Sequence, residues 1–255
     1  MDTSNLSPLG VMLSNPDWST VLLLAAFYGG VAVLLNWFSF GRPFARFAEG
    51  YRGVAPPYLT NPATLFALMA AFLGNTIVLT DRQAEQAVLQ EADRTAAIVG
   101  LADLVPGAHD LHRMTAAYIR TAIDHEWHLP RDFAPGDTAL RALTEAVLKL
   151  PAEPAGASAQ LLGDVRGLAS ARAARRGIVE SRVDEIPWLS VLLLGVLTQF
   201  GVAVVHLDKR KPQIAALAIT TASLVVVLGL LALIERPFDG AHAVSPAPLL
   251  RVLAG

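Results

Sequence analysis

The sequence predicts an all-α integral membrane protein with four transmembrane helices and a helical polar insert between the second and the third. Of its 255 residues, 53% are apolar and only 16% are charged, which is too hydrophobic for an ordinary soluble domain. Four uncharged apolar runs reach the length of about 20 residues that a helix needs to cross a bilayer. Between the second and third runs, residues 81–185 hold 16 of the 22 acidic side chains, so this segment is expected to face water.

The four predicted spans divide the chain into an N-terminal hairpin over residues 1–80, the insert, a C-terminal hairpin over 186–234 and a tail over 235–255. No Lys or Arg precedes the first run and no Ala-x-Ala site follows it, so it is interpreted as a span and not as a cleaved signal peptide. Trp residues near the ends of the runs are typical of membrane interfaces. These residues are Trp18, Trp37 and Trp188, and the spans are 20–40, 63–80, 186–207 and 213–234.

Within the insert, helical periodicity predicts that the second span continues into water as one helix over 62–104, which Pro106-Gly107 ends. Three further helices are predicted at 109–128, 137–150 and 158–185, and Asp137 and Ser158 are taken as the N-caps of the last two. Each of the three carries an apolar stripe that predicts a core for the insert. The stripes are Leu111, Met114 and Tyr118; Leu140, Leu143, Val147 and Leu150; and Leu161, Val165 and Leu168.

Several chemistries lack their usual residues. The absence of Cys excludes disulfides, thiolate nucleophiles and Cys-ligated metal clusters, and the net charge of −2 does not favour nucleic acid as a partner. No phosphate-binding glycine loop and no known catalytic motif occurs. The prediction is therefore a protein that is not an enzyme and has no cofactor. The pairs His109/His112 and His125/His128 could bind a metal, but an ordinary polar helix face is favoured, so no metal site is predicted.

Polar residues in and near the second span allow alternative interpretations. Asp81, Glu85, Glu91 and Asp93 follow that span and could form a ring at a pore mouth, or a solvated helix face paired with Arg82 and Arg94. Inside the spans, Ser and Thr are expected to bond to their own backbone or to brace neighbouring helices. Asn75 and Gln199 could line a water-filled path, although bonds between helices are favoured.

A set of short motifs, in a fixed order from about Phe72 onward, resembles the bestrophin-like family, a domain of unknown function in prokaryotic and plant membrane proteins. The most specific motif is the segment Glu235-Arg236-Pro237-Phe238-Asp239-Gly240, which Val244-Ser245-Pro246-Ala247-Pro248-Leu249 follows. The other signature residues lie in the insert and at the start of the third span. They are Glu91, Tyr118, Glu126, Trp127, the run from Arg172 to Arg176, and Pro187 within Ile186-Pro187-Trp188.

The resemblance implies a likeness to bestrophins, which are pentameric anion channels with four membrane helices and cytosolic helical extensions. Pro237-Phe238-Asp239-Gly240 would then stand where bestrophins carry a Pro-Phe-Gly turn, but the acidic run of calcium-gated members is missing here. Bestrophins narrow their pore with apolar side chains on the second membrane helix. The corresponding candidates here are Phe72, Asn75, Thr76 and Leu79, and a lipid-facing or packing stripe is the alternative.

The orientation of the chain is predicted differently by two criteria. The short loops after the first and third spans are rich in Arg and Lys, which places these loops in the cytoplasm and the insert outside. The likeness to bestrophins implies the reverse. Both orientations stay open.

The function predicted from these features is a multi-pass protein of the cell membrane that associates with itself into a passive anion channel. The step from family to conduction is an analogy between folds. The alternative is a non-conducting sensor or scaffold whose insert binds a protein partner. The expected partners are the lipid bilayer and further copies of the chain, with no nucleic acid.

Overall fold

The structure, a computed structural model, describes residues 18–41, 57–127, 131–150, 155–181, 185–238 and 243–254. All regular secondary structure within these ranges is helical, so the predicted all-α class is confirmed. The helices are α1 (Trp18–Phe40), α2 (Pro57–Ala102), α3 (Asp110–Glu126), α4 (Ala134–Leu148), α5 (Ala155–Glu180), α6 (Glu185–Val205), α7 (Arg210–Ile234) and α8 (Ala247–Ala254).

Among the described residues, four helices are long and apolar enough to cross a membrane, and they overlap the four runs expected from the sequence. They are α1, α2, α6 and α7. The chain is accordingly an all-α membrane protein. By internal packing it divides into a first unit, Met1–Leu79 with Arg182–His242, and a second unit, Thr80–Ser181 with Ala243–Gly255.

The first unit has a core built from α1, α6, α7 and the part of α2 before residue 80. Helices α1 and α7 share the most extensive contact. Apolar side chains from all four helices meet in this core, and a buried Trp188 is its largest member. Its members include Leu24 and Tyr28, Leu73 and Ile77, Val191, and Leu224 and Leu228.

Trp188, which is predicted to lie near a membrane interface, packs into the core of the first unit. Its side chain is fully buried, and its indole Nε1 donates a hydrogen bond of 2.9 Å to Glu235 Oε2. A buried indole N–H requires such an acceptor. Trp18 and Trp37 are exposed, as a side chain facing a lipid interface would be.

The second unit is the helical insert together with α8. Helix α3 packs against α4, α4 against α5, and α8 against α3. The predicted apolar stripes form the interior, with Met114, Leu140 and Leu150 only partly covered. The fully enclosed members are Leu111, Tyr118, Leu143, Val147, Leu161, Val165 and Leu168.

Two predicted helix starts are wrong. Helix α4 begins at Ala134 with Phe133 as its N-cap, and the side chain of Asp132 accepts a hydrogen bond of 3.0 Å from the Ala134 N–H. Asp137 is therefore inside the first turn, where its carboxylate is free to pair with arginines of α5. Helix α5 begins at Ala155, before Ser158, and ends at Glu180.

Helix α2 also starts earlier than predicted. It begins at Pro57 and contains Pro62, whose missing N–H removes one backbone hydrogen bond from the second turn. The helix continues without interruption to Ala102, close to the predicted end, and Gly107 takes a positive φ of 82° in the turn that follows.

Candidate functional site

Ionisable side chains continue the buried stripes of three insert helices. Glu91 follows Ala84 and Val88 on α2, and Glu126 follows Tyr118 and Ala122 on α3. On α5, Arg172 and Arg175 follow Leu161, Val165 and Leu168. A helix that carries a charged residue on its buried stripe brings that charge into the core. We call Glu91, Glu126, Arg172 and Arg175 the buried ionic cluster.

Arg175 is the centre of this cluster. Its guanidinium donates to both oxygens of Glu91, from Nε to Oε2 at 2.6 Å and from Nη2 to Oε1 at 3.2 Å. Nη2 also donates to Oε2 of Glu126 at 2.6 Å. All three side chains have no exposed surface. Arg175 thus joins α2 and α3 to α5 through charge-assisted hydrogen bonds.

Arg172 connects the same cluster to the start of α4. It donates to Glu126 Oε1 at 2.6 Å, to the backbone oxygen of Phe133 at 3.0 Å and to a carboxylate oxygen of Asp137. Gly136 leaves room for this contact, because a Cβ on it would lie 2.0 Å from Glu126 Oε1 and 2.7 Å from Arg172 Nη2. Only glycine can stand at this position without displacing the ion pair.

Two aromatic residues complete the surroundings of the cluster. Tyr118 donates its hydroxyl hydrogen to Glu91 Oε1 at 2.5 Å, and the Trp127 ring lies 4.5 Å from the Arg175 guanidinium carbon. The Trp127 indole N–H donates to the backbone oxygen of Val244 at 2.9 Å, so the segment before α8 is attached beside the cluster. The sequence did not predict α8 or this attachment.

The electrostatics of the cluster are balanced, because two buried carboxylates face two buried guanidinium groups. Burial and the negative charge of Glu91 raise the pKa of Tyr118 above its ordinary value. Burial acts to lower the pKa of Arg175, but Glu91 and Glu126 outweigh it and raise this pKa. The hydrogen bond from Arg172 lowers the pKa of Asp137. Tyr118 is therefore neutral near neutral pH, and Arg175 and Asp137 are charged.

One donor in the cluster has no partner among the described residues, namely Nη1 of the wholly buried Arg175. A buried donor without a partner costs about 1–3 kcal/mol, and a buried water is the usual remedy. The remaining nitrogens of the two guanidinium groups donate to Glu91, Glu126, Asp137 and the backbone oxygen of Phe133. The arrangement therefore serves to hold α2, α3, α4 and α5 in one register.

The expected roles of the acidic residues and histidines change accordingly. Glu91 belongs neither to a ring at a pore mouth nor to a solvated face, because it is fully buried. Arg94 pairs with Asp164 at 2.8 Å.

His112 lies 2.9 Å from Asp103, and His128 is outside the described residues. Among the described residues, no group of three suitable side chains could hold a metal ion.

Polar residues within the first unit join helices or bond to their own backbone, as predicted. Gln199 is fully buried and donates from Nε2 to the backbone oxygen of Tyr28 at 3.1 Å and to Thr221 Oγ1 at 2.8 Å. The buried Gln213 forms a second bridge, through bonds with Asn36, Ser39 and the backbone of Ala203. Thr198, Thr220 and Ser223 bond to the carbonyl four residues earlier.

The four candidate pore-lining residues share the side of α2 that faces away from the core. Phe72 is 59% exposed and Leu79 is 47% exposed, and Asn75 and Thr76 lie beside them on the surface. Ala70, Leu73 and Ile77 point to the opposite side and are buried. Asn75 therefore lies on the outer surface of α2, whereas Gln199 is buried between helices.

The signature residues of the sequence separate into two groups in space. Glu91, Tyr118, Glu126, Trp127 and Arg172 meet in or beside the buried ionic cluster, and Arg176 contacts Asp137 at 3.3 Å at its edge. In the first unit, Pro237 and Phe238 are buried, close in sequence to Glu235, which accepts the hydrogen bond of Trp188. Pro187 is partly buried. Gly240 lies outside the described residues.

In the sequence the insert residues are markers of a family, and their shared role is visible only in the structure. The available signal was the continuation of three apolar stripes by charged residues. What periodicity does not contain is which carboxylate meets which guanidinium, since the partners are 46 to 84 positions apart.

Comparison with known proteins found one matching family. The family model described as Bestrophin-like domain matches residues 26–249, a range that includes both groups of signature residues. Neither the curated proteins nor the solved structures contain a match to the chain. Because the matched range covers most of the sequence, the chain belongs to the Bestrophin-like domain family.

Proposed function

We propose that this chain assembles with copies of itself into a membrane channel that conducts anions passively. Membership of the Bestrophin-like domain family supports the proposal at the level of the family, whose namesakes are anion channels. The observation that carries it is the uncovered side of α2 with Phe72, Asn75, Thr76 and Leu79.

This side of α2 has the chemistry that an anion path requires. It contains no ionised side chain between Leu65 and Leu79, so a passing ion is held weakly enough to leave. Phe72 and Leu79 supply apolar bulk for a constriction, and the amide N–H groups of Asn75 can donate to an anion. The hydroxyl of Thr76 donates to the backbone oxygen of Phe72 at 3.1 Å, so it contributes mainly size at this point.

Passive conduction fits the membrane segments better than active pumping. The four predicted spans contain no Asp, Glu, Lys or Arg, and their one histidine, His206, stands at the end of the third span. Proton-driven transporters use ionisable groups within the bilayer as relays. Flux through this protein should therefore follow the electrochemical gradient of the ion.

The experiment is chloride flux from liposomes that contain the purified full chain, with the mass of the particle measured in nanodiscs on the same sample. We expect a defined homo-oligomer and chloride flux that Thr76→Trp largely blocks. Val226→Trp is the matched control, because Val226 has the size of threonine and is 59% exposed on α7. The control should conduct like the unaltered protein.

A monomer without flux at any pH, voltage or calcium concentration would falsify the channel. In that case the scaffold function, with a protein partner of the insert, becomes the better explanation. Equal loss of flux in both tryptophan variants would instead remove α2 from the path, because added bulk at any lipid-exposed position would then have the same effect.

A further inference from the structure

Three glutamines extend the uncharged side of α2 beyond its apolar part. Gln83, Gln86 and Gln90 follow Leu79 at spacings of four, three and four residues, and all three are exposed. With about 100° between successive residues of a helix, they lie within about 60° of one another and on the side that carries Phe72 and Leu79. We call these residues the glutamine strip.

The strip is notable because charged residues are dense around it. Six of the fourteen residues from 81 to 94 are ionisable. Asp81, Glu85 and Glu91 lie about 100° or more from the centre of the strip, and Glu91 is buried. Arg82, Asp93 and Arg94 border it, and Arg94 is paired with Asp164. No ionisable residue stands on the strip itself between Leu79 and Gln90.

We infer that the glutamine strip determines which ions pass the mouth of the channel, by solvating partly dehydrated anions with its side-chain amides. The inference rests on the proposed channel and names a selectivity site within it. Each amide offers two N–H donors to an anion and carries no net charge. Copies of the strip in an oligomer would replace part of the hydration shell of an anion without binding it tightly.

The neutrality of the strip gives a test through the sign of an added charge. Gln83→Glu and Gln90→Glu would place a ring of negative charges along the path, and Gln83→Lys a ring of positive charges. We expect chloride flux to fall about fivefold with the negative ring, from screened repulsion by several charges. The negative ring should also shift the reversal potential in a chloride gradient towards that of a less anion-selective channel. The positive ring should shift the reversal potential in the opposite direction.

Gln160→Glu is the matched control, because Gln160 is an exposed glutamine on α5. Its flux and its reversal potential should equal those of the unaltered protein. The particle mass in nanodiscs verifies that every variant keeps its assembly. Damage to folding cannot explain shifts of opposite sign for the Gln83 pair.

The outcomes separate this inference from the proposed function. If Thr76→Trp blocks flux but the Gln83 and Gln90 variants conduct like Gln160→Glu, the channel stands and the glutamine strip has no part in selectivity. If Gln83→Glu and Gln83→Lys shift the reversal potential in the same direction, the charge of the strip does not act on the ion. If the unaltered protein does not conduct, both ideas fail together.

Discussion

Arg175 is completely buried against Glu91, a residue 84 positions earlier in the chain, and the two side chains share hydrogen bonds of 2.6 and 3.2 Å. Such a pair stabilises the fold only if each charge keeps its partner, because removal of one leaves an uncompensated charge in the core. Arg175 also balances Glu126, so its loss affects two carboxylates at once.

Arg175→Leu should lower the stability of the insert by about 3–5 kcal/mol, since it leaves Glu91 and Glu126 buried without that guanidinium. Hydrogen exchange of backbone amides in α3 measures the effect on the full chain in detergent. The control is Arg113→Leu, which removes an exposed pair with Asp110 and should change protection little. Equal protection in the two variants would mean that the buried pair is not needed to hold α3 in place.

Gly136→Ala should destabilise the insert, although alanine is the better helix former. The new methyl group would overlap the oxygen of Glu126 and the Nη2 of Arg172, so it must displace the ion pair. Gly163→Ala on α5 has open space around the new Cβ and should stabilise its helix by about 0.5–1 kcal/mol. Thermal unfolding followed by tryptophan fluorescence should show shifts of opposite sign, and two upward shifts would contradict the close contact at Gly136.

Tyr118→Phe should lower stability near neutral pH by about 1.5–3 kcal/mol, because Glu91 loses a buried donor. In the folded chain the pKa of Tyr118 is raised above its ordinary value of 10.0. Because this pKa is higher in the folded than in the unfolded chain, the contribution of Tyr118 to the free energy of unfolding is complete below pH 10. It falls as the pH rises above that value. The difference in Tm between the unaltered chain and Tyr118→Phe should therefore narrow above pH 10. A constant difference up to pH 11 would argue against the bond to Glu91.

Asp137→Asn should alter the response of the insert to acid. The hydrogen bond from Arg172 lowers the pKa of Asp137 below its ordinary value of 3.8. Because this pKa is lower in the folded than in the unfolded chain, the contribution of Asp137 to the free energy of unfolding is complete above pH 3.8. It is lost as the pH falls below that value. The unaltered chain should thus lose more Tm than Asp137→Asn between pH 5 and pH 3. Asp110→Asn serves as the control, because Asp110 is highly exposed and should leave the acid response unchanged.

Properties that depend on neighbouring residues could be predicted from the sequence. An apolar run of about 20 residues fits a bilayer whatever the rest of the chain does, so all four spans were found. The stripe of Leu161, Val165 and Leu168 is likewise a property of one helix, and these residues are buried as expected. The family could be named because its motifs are short and local in sequence.

Properties that depend on distant contacts could not be predicted. Asp137 has the residue type of an N-cap, but Asp132 accepts the N–H of Ala134 at the start of α4 and Asp137 pairs with Arg172. The bond from Trp188 to Glu235, 47 positions later, is likewise not visible in the local sequence. In both cases the partner lies far away in the chain.

The sequence by itself therefore determined an all-α membrane protein with four candidate spans, a helical insert and a family, because hydrophobicity and periodicity act within single helices. Only the tertiary structure decided that Glu91, Glu126, Arg172 and Arg175 neutralise one another in the core of the insert. The physical reason is that a charge can be buried only where its counter-charge arrives, and that counter-charge comes from a helix tens of residues away.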